Sequence, residues 1–133
     1  MDKNYLKSIN EITLLQKTLE RLLKEALCDS LEDNKACNVL ERLTEELDSA
    51  ARTLKHYSKP VKEGRLYKQA NGRFIINDNE LSSGHSLEVW NDEYQKWETG
   101  RVEYSDSKGG YYFYNLNMKN PALYNGMKAR IRV

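Results

Sequence analysis

Three basic side chains at alternating positions, Lys128, Arg130 and Arg132, are the residues of this chain with the clearest chemical potential. Met127, Ala129, Ile131 and Val133 alternate with them, so a β-strand here sends its apolar set into a core and its cations to the opposite face. Upstream, Tyr111, Tyr112 and Tyr114 surround Phe113, and Trp90 and Tyr94 bracket Asn91-Asp92-Glu93. Cations beside rings suit two tasks. They can follow a phosphate backbone while the rings stack on bases. They can also form the arginine- and aromatic-rich centre of a protein interface. The candidate binding residues are therefore Trp90, Tyr94, Tyr112, Tyr114, Lys128, Arg130 and Arg132. The plain structural alternative is an edge strand whose charges deter aggregation.

Other kinds of chemistry leave no trace in the sequence. It has no Gly-rich phosphate loop, no His-x-Glu or Cys-x-x-Cys metal pattern and no nucleophile elbow. His56 falls near the end of a predicted helix, where it answers the negative terminus, and His85 follows a glycine turn. Cys28 and Cys37 match no zinc or redox spacing, and read as two thiols of a reducing cell that approach each other if they close a helical hairpin. The expectation is a protein that is not an enzyme, with no catalytic residue, cofactor or metal.

The elements that must position these residues change character at Ser58-Lys59-Pro60. All seven glycines and both tryptophans follow that point, as do 11 of the 13 aromatic residues. Before it the pattern is helical. Asp2 is a plausible N-cap, and Ile12, Leu15, Leu19, Leu22 and Ala26, widened by Tyr5, Ile9 and Leu23, form an apolar stripe. The chain breaks at Cys28-Asp29-Ser30, where Ser30 and Asp33 read as a capping-box-like start. A second stripe runs Ala36, Leu40, Leu43, Leu47, Ala50, Leu54 and Tyr57. An antiparallel α-helical hairpin over residues 1–57 follows. So thin a hairpin leaves apolar surface to be covered by the rest of the chain, by a second copy in a homodimer, or by a target protein.

After a linker at 58–63 the period becomes two. Segments 65–69 and 73–77 flank Asn71-Gly72, a type I′ hairpin signal. Further strands are expected at 86–90, 96–104 and 111–114, with the last after Asn125-Gly126, and Gly100 suits a bulge or bend. Five or six short strands with tight turns in residues 64–133 predict a small antiparallel SH3-like β-barrel, making the chain α+β. No apolar run approaches the roughly 20 residues of a membrane span. No secretory signal is visible either, so a cytoplasmic protein with no membrane partner is expected.

The net charge of +1 hides an asymmetry: residues 107–133 carry five basic side chains (Lys108, Lys119, Lys128, Arg130 and Arg132) and no acidic one. The sequence pI of about 7.7 is below that of a dedicated nucleic-acid domain.

Residues 64–133 resemble a small uncharacterised domain of phages, plasmids and conjugative elements from low-GC Gram-positive bacteria. The carrying residues are Val61-Lys62-Glu63-Gly64-Arg65-Leu66-Tyr67, Asn71-Gly72-Arg73-Phe74, Glu80-Leu81, Gly84, Leu87-Glu88-Val89, Gly126 and Arg130-Ile131. The resemblance brings no catalytic residues. It implies a mobile-element protein that binds a host protein, most concretely an anti-CRISPR inhibitor of a Cas9-type RNA-guided nuclease. A nucleic-acid-binding regulator or transfer accessory protein is the alternative.

Overall fold

Helix α1 (Lys3–Glu25) and helix α2 (Leu31–Ser58) open the chain. Both starts are capped as their sequences require. The Asp2 carboxylate accepts from the Asn4 amide at 2.8 Å, and Ser30 Oγ accepts from the Asp33 amide at 3.0 Å. The computed structural model describes residues 1–117 and 119–133, and divides them into two compact units, Met1–Lys59 and Pro60–Val133.

Within the first unit the two helices pack along one seam. Ile9, Ile12, Leu19 and Leu23 of α1 and Leu40, Leu47, Ala51 and Leu54 of α2 are its buried or half-buried apolar members. Polar groups share the seam: Thr44 is buried, and Gln16 Nε2 donates to Asp48 Oδ1 at 3.4 Å. This differs from the expected stripes. Leu15, Leu22, Ala36, Leu43 and Ala50 are exposed, because the seam is rotated by about one residue on each helix and takes Gln16, Cys37, Thr44 and Ala51 instead. Two helices can bury only one stripe each, and these sequences carry more than that.

The second unit holds eight strands: β1 (Val61–Arg65), β2 (Tyr67–Lys68), β3 (Phe74–Ile76), β4 (Asn79–Leu81), β5 (Ser86–Asn91), β6 (Lys96–Ser105), β7 (Gly110–Tyr114) and β8 (Lys128–Arg132). β1 begins three residues earlier than Gly64, so the connection after α2 is only Lys59-Pro60, where proline ends the helix. All pairings are antiparallel. They join β1-β8-β5-β6-β7 into one sheet and β2-β3-β4 into a second, rather than a single continuous ring of strands. The class is α+β, a helical pair followed by antiparallel sheet.

One core serves both sheets: Leu66, Phe74, Ile76 and Leu81 from the β2–β4 side, with Leu87, Val89, Val102, Phe113, Leu123, Met127, Ala129 and Ile131. Gly100 lies in regular register opposite Leu87 and forms no bulge. Its role is close approach: a Cβ there would run into the Tyr114 carbonyl and stand 2.7 Å from the Phe113 ring. The β2–β3 turn also departs from expectation. Gly72 alone takes a positive φ (85°), and the Gly72 amide donates to the Gln69 carbonyl at 3.0 Å. A type I′ turn needs two left-handed residues, so Ala70-Asn71-Gly72 instead makes a longer loop closed by one glycine.

Candidate interaction face

Strand alternation places Lys128, Arg130 and Arg132 on the face of β8 opposite Ala129 and Ile131, as the sequence requires. Register then fixes their neighbours. Arg130 is level with Glu63 of β1 and Glu88 of β5, Trp90 of β5 is level with Trp97 of β6, and Arg101 of β6 is level with Tyr114 of β7. These side chains form one continuous surface across the five-stranded sheet.

Glu88 is its centre. One carboxylate oxygen accepts from Arg130 Nη2 at 2.9 Å, and the other accepts from Arg132 Nε at 2.8 Å. The side chains of Glu88, Arg130 and Arg132 are only 9%, 21% and 12% exposed, so the pairing is largely withdrawn from water. Desolvation pushes the Glu88 carboxyl up, yet hydrogen bonds from Arg132 and Arg130, with their charges, outweigh it and hold the group below the ordinary carboxylate range.

The cations also rest on rings. The Arg130 guanidinium lies 4.4 Å from the Trp97 ring centre, Lys128 Nζ 4.7 Å from that of Trp90, and the Arg101 guanidinium 4.5 Å from that of Tyr114. Trp90 and Trp97 meet edge-to-face at 5.3 Å. Lys128 additionally reaches Glu63 at 3.5 Å, and Arg101 reaches Glu103 at 2.7 Å. All four cations are thus paired with a carboxylate, and three of them also lie over a ring. Each contact fixes a rotamer before any partner arrives.

Of the seven candidate residues, the fold gathers Trp90, Lys128, Arg130 and Arg132, and extends the same face to Tyr112 and Tyr114 on β7. Lys108 Nζ covers the Tyr112 ring at 5.3 Å. Tyr94 is not gathered with them. It stands exposed on the β5–β6 turn under Lys96, whose side chain pairs with Glu98 on the other side of β6. The turn itself is tied by Asn91 Oδ1, which accepts from the Glu93 and Tyr94 amides, and by Trp90 Nε1 donating to Asp92 at 2.9 Å.

Glu88, Trp97, Arg101 and Glu63 escaped the sequence reading as site residues. An acid between Leu87 and Val89 was a usable sign for Glu88, and counting the β5–β6 turn would have set Trp97 beside Trp90. Arg101 had a sign in Glu103, two residues on along the same strand face, whereas Glu63 had none, because its partner Lys128 lies on a strand distant in the chain.

A separate cavity of about 370 Å³ opens in the same unit, lined by Lys68, Asn71, Phe74, Tyr104, Tyr111 and Tyr124 among others. Tyr104 donates to Asp106 at 2.8 Å, and that carboxylate pushes its phenol above the ordinary range. Among the described residues no group of three His, Cys, Asp or Glu side chains could hold a metal ion, and no helix is long and apolar enough to cross a membrane.

Residues 63–131 match the family DUF5348, described as a domain of unknown function. The chain belongs to this family. The match runs from within β1 to within β8, so the DUF5348 domain comprises nearly all of the sheet unit and none of the helical hairpin. No curated protein and no solved structure matches the chain.

Proposed function

We propose that this DUF5348 protein is a non-catalytic binding protein whose five-stranded sheet presents the Trp90–Trp97–Lys128–Arg130 surface to a protein partner. The observation that carries the reading is Glu88 shared by Arg130 and Arg132 while Arg130 lies over Trp97. That arrangement ties two guanidiniums to one carboxylate and holds half-buried tryptophan rings beside them. Rigid aromatic and arginine side chains with little left to immobilise are what interface hot spots are made of. The chain's resemblance to mobile-element proteins makes a host protein acting in the cytoplasm the first partner to try, with a Cas9-type nuclease carrying its guide RNA at the head of that group.

A direct nucleic-acid contact is the second reading, favoured by five basic and no acidic residues from 107 to 133. It is the weaker one, because Lys128, Arg130 and Arg132 already hold carboxylates and would have to release them to track phosphates.

The experiment is affinity capture from host lysate and from purified guide-loaded nuclease, using the native chain and Trp90→Ala/Trp97→Ala. Retention by the native chain, lost in the variant and insensitive to nuclease digestion of nucleic acid, supports a protein partner. Retention of DNA or RNA that falls steeply with salt replaces it with the second reading. If the double variant binds as well as the native chain, this face is not the site.

A further inference from the structure

The cavity beside Tyr104 and Tyr111 lies where the core faces of the two sheets run out. Tyr104 and Tyr111 are level with each other, one step along their strands beyond Val102 and Phe113 on the same face. On the second sheet Lys68 is level with Phe74, so its side chain leaves from the face that carries Phe74 into the core. The shared core therefore opens into a mouth of about 370 Å³. Buried Phe74 and Leu123 belong to its walls, while Tyr104 and Tyr124 are 54% and 58% exposed beside it.

Its lining divides into rings and donors. Tyr104 and Tyr111 meet edge-to-face at 5.1 Å, and the Tyr104 hydroxyl is already committed to Asp106, so Tyr104 offers the cavity its ring. Tyr124 and Asn125 come from the loop before β8. Asn125 Oδ1 accepts from the Lys68 backbone amide at 2.6 Å, which ties that loop to β2 and leaves Asn125 Nδ2 as a donor. Among the described residues no acceptor takes a hydrogen bond from Asn125 Nδ2, Tyr124 Oη or Lys68 Nζ. Lys68 is the one cation of the lining, which contains no acid. It differs in this from Lys128, Arg130 and Arg132, each of which holds a carboxylate.

Rings beside an unpaired ammonium select the chemistry of a ligand. A cage for a quaternary ammonium needs rings without a competing cation, a condition that Lys68 violates. A planar ring that stacks on tyrosine and carries an anion uses both parts of the lining. The volume falls at the lower end of ligand cavities, roughly 300–1,000 Å³, and holds more than a lone phenyl ring.

We propose that this mouth binds a nucleoside monophosphate, with its base on the exposed tyrosine rings and its phosphate at Lys68, Tyr124 and Asn125. The site is separate from the outer face of the five-stranded sheet, because Tyr111 and Tyr112 leave β7 on opposite sides.

The test is isothermal titration calorimetry of the full chain with AMP, GMP, CMP and UMP at physiological salt. At least one should bind with a Kd below about 1 mM. The matching nucleoside, which lacks the phosphate, should bind about tenfold more weakly, and so should the nucleotide to Lys68→Ala, with Lys68→Arg restoring most of the loss. Tyr104→Ala should weaken binding about tenfold through the lost stacking surface. Lys68 is exposed, so its variants should keep the native unfolding midpoint. No saturable binding of any of the four nucleotides, or a folded Lys68→Ala chain that binds as tightly as the native one, overturns the proposal. So does phenyl phosphate binding as tightly as the nucleotides, since base and sugar then contribute nothing. A 5′-phosphorylated dinucleotide identifies the source of the ligand. Tighter binding than the mononucleotide points to a strand end and weaker binding to a free nucleotide, and either result supports the site.

Discussion

The sheet unit finishes its own core and the helical unit does not. Leu66, Ile76, Leu81, Val102, Phe113 and Ala129 have no measurable exposure, and two sheets share them. In the hairpin only Ile9, Thr44 and Ala51 are buried, and one of those is polar. The difference is geometric. A sheet has two faces and can bury one entirely against another sheet, whereas a helix in a pair touches its neighbour along a single stripe. The hairpin's surplus leucines are therefore left in water, and grouped apolar surface of that kind is a feature of interaction sites. Family membership divides along the same line, with the DUF5348 match ending short of the helices.

Separating the units between Lys59 and Pro60 tests that contrast most severely. Residues 60–133 should unfold in one sharp cooperative transition, whereas residues 1–59 should unfold earlier and more gradually. Circular dichroism followed through urea reads both; a hairpin piece that unfolds as late and as sharply as the sheet piece would erase the contrast.

Within the sheet unit, Phe113→Ala should cost about 3–5 kcal/mol in urea unfolding, since it empties the centre of the shared core. No single truncation in the helical seam should approach that value.

Glu88→Gln comes next. It leaves Arg130 and Arg132 without their carboxylate, at roughly 2–3 kcal/mol, discounted from a fully buried pair for their remaining exposure. The same group gives a pH signature. Its folded pKa lies below the ordinary 4.5, so its contribution to stability is complete above that value and is lost as pH falls through the depressed one. Glu80, whose carboxyl is lowered by Arg73 and Asn71, acts in the same direction. Unfolding midpoints followed from neutral into acid should therefore fall less steeply in Glu88→Gln than in the native chain, and identical slopes would remove Glu88 from the account.

The smallest effect belongs to the hairpin's start signal. Ser30→Ala removes the acceptor for the Asp33 amide and should cost about 1 kcal/mol. Thermal unfolding followed by helical signal would register it, and a change near zero would mean that the second helix is held by packing alone.

Much of this was legible in the residues themselves. Ser30 announced the second helix because a hydroxyl before a helical run satisfies a free amide locally. The alternation from Met127 to Val133 announced both sides of β8, since a strand's period is fixed by its backbone. Local rules reach no further than their own segment. They placed Leu15, Leu22 and Leu43 in the helical seam, because periodicity defines a stripe but not which edge of it meets the partner helix. They reached Lys128, Arg130 and Arg132 as a free basic line, yet Glu88 is more than 40 positions away in the chain. Only the pairing of β5 with β8 put that carboxylate between two arginines, whereas Trp97 meets Trp90 across the consecutive β5–β6 hairpin. The sequence by itself determined which side chains point outward together, through the geometry of single elements. The tertiary structure decided which of those charges are already paired and which rings stand ready, because strand order, not local spacing, chooses each residue's neighbours.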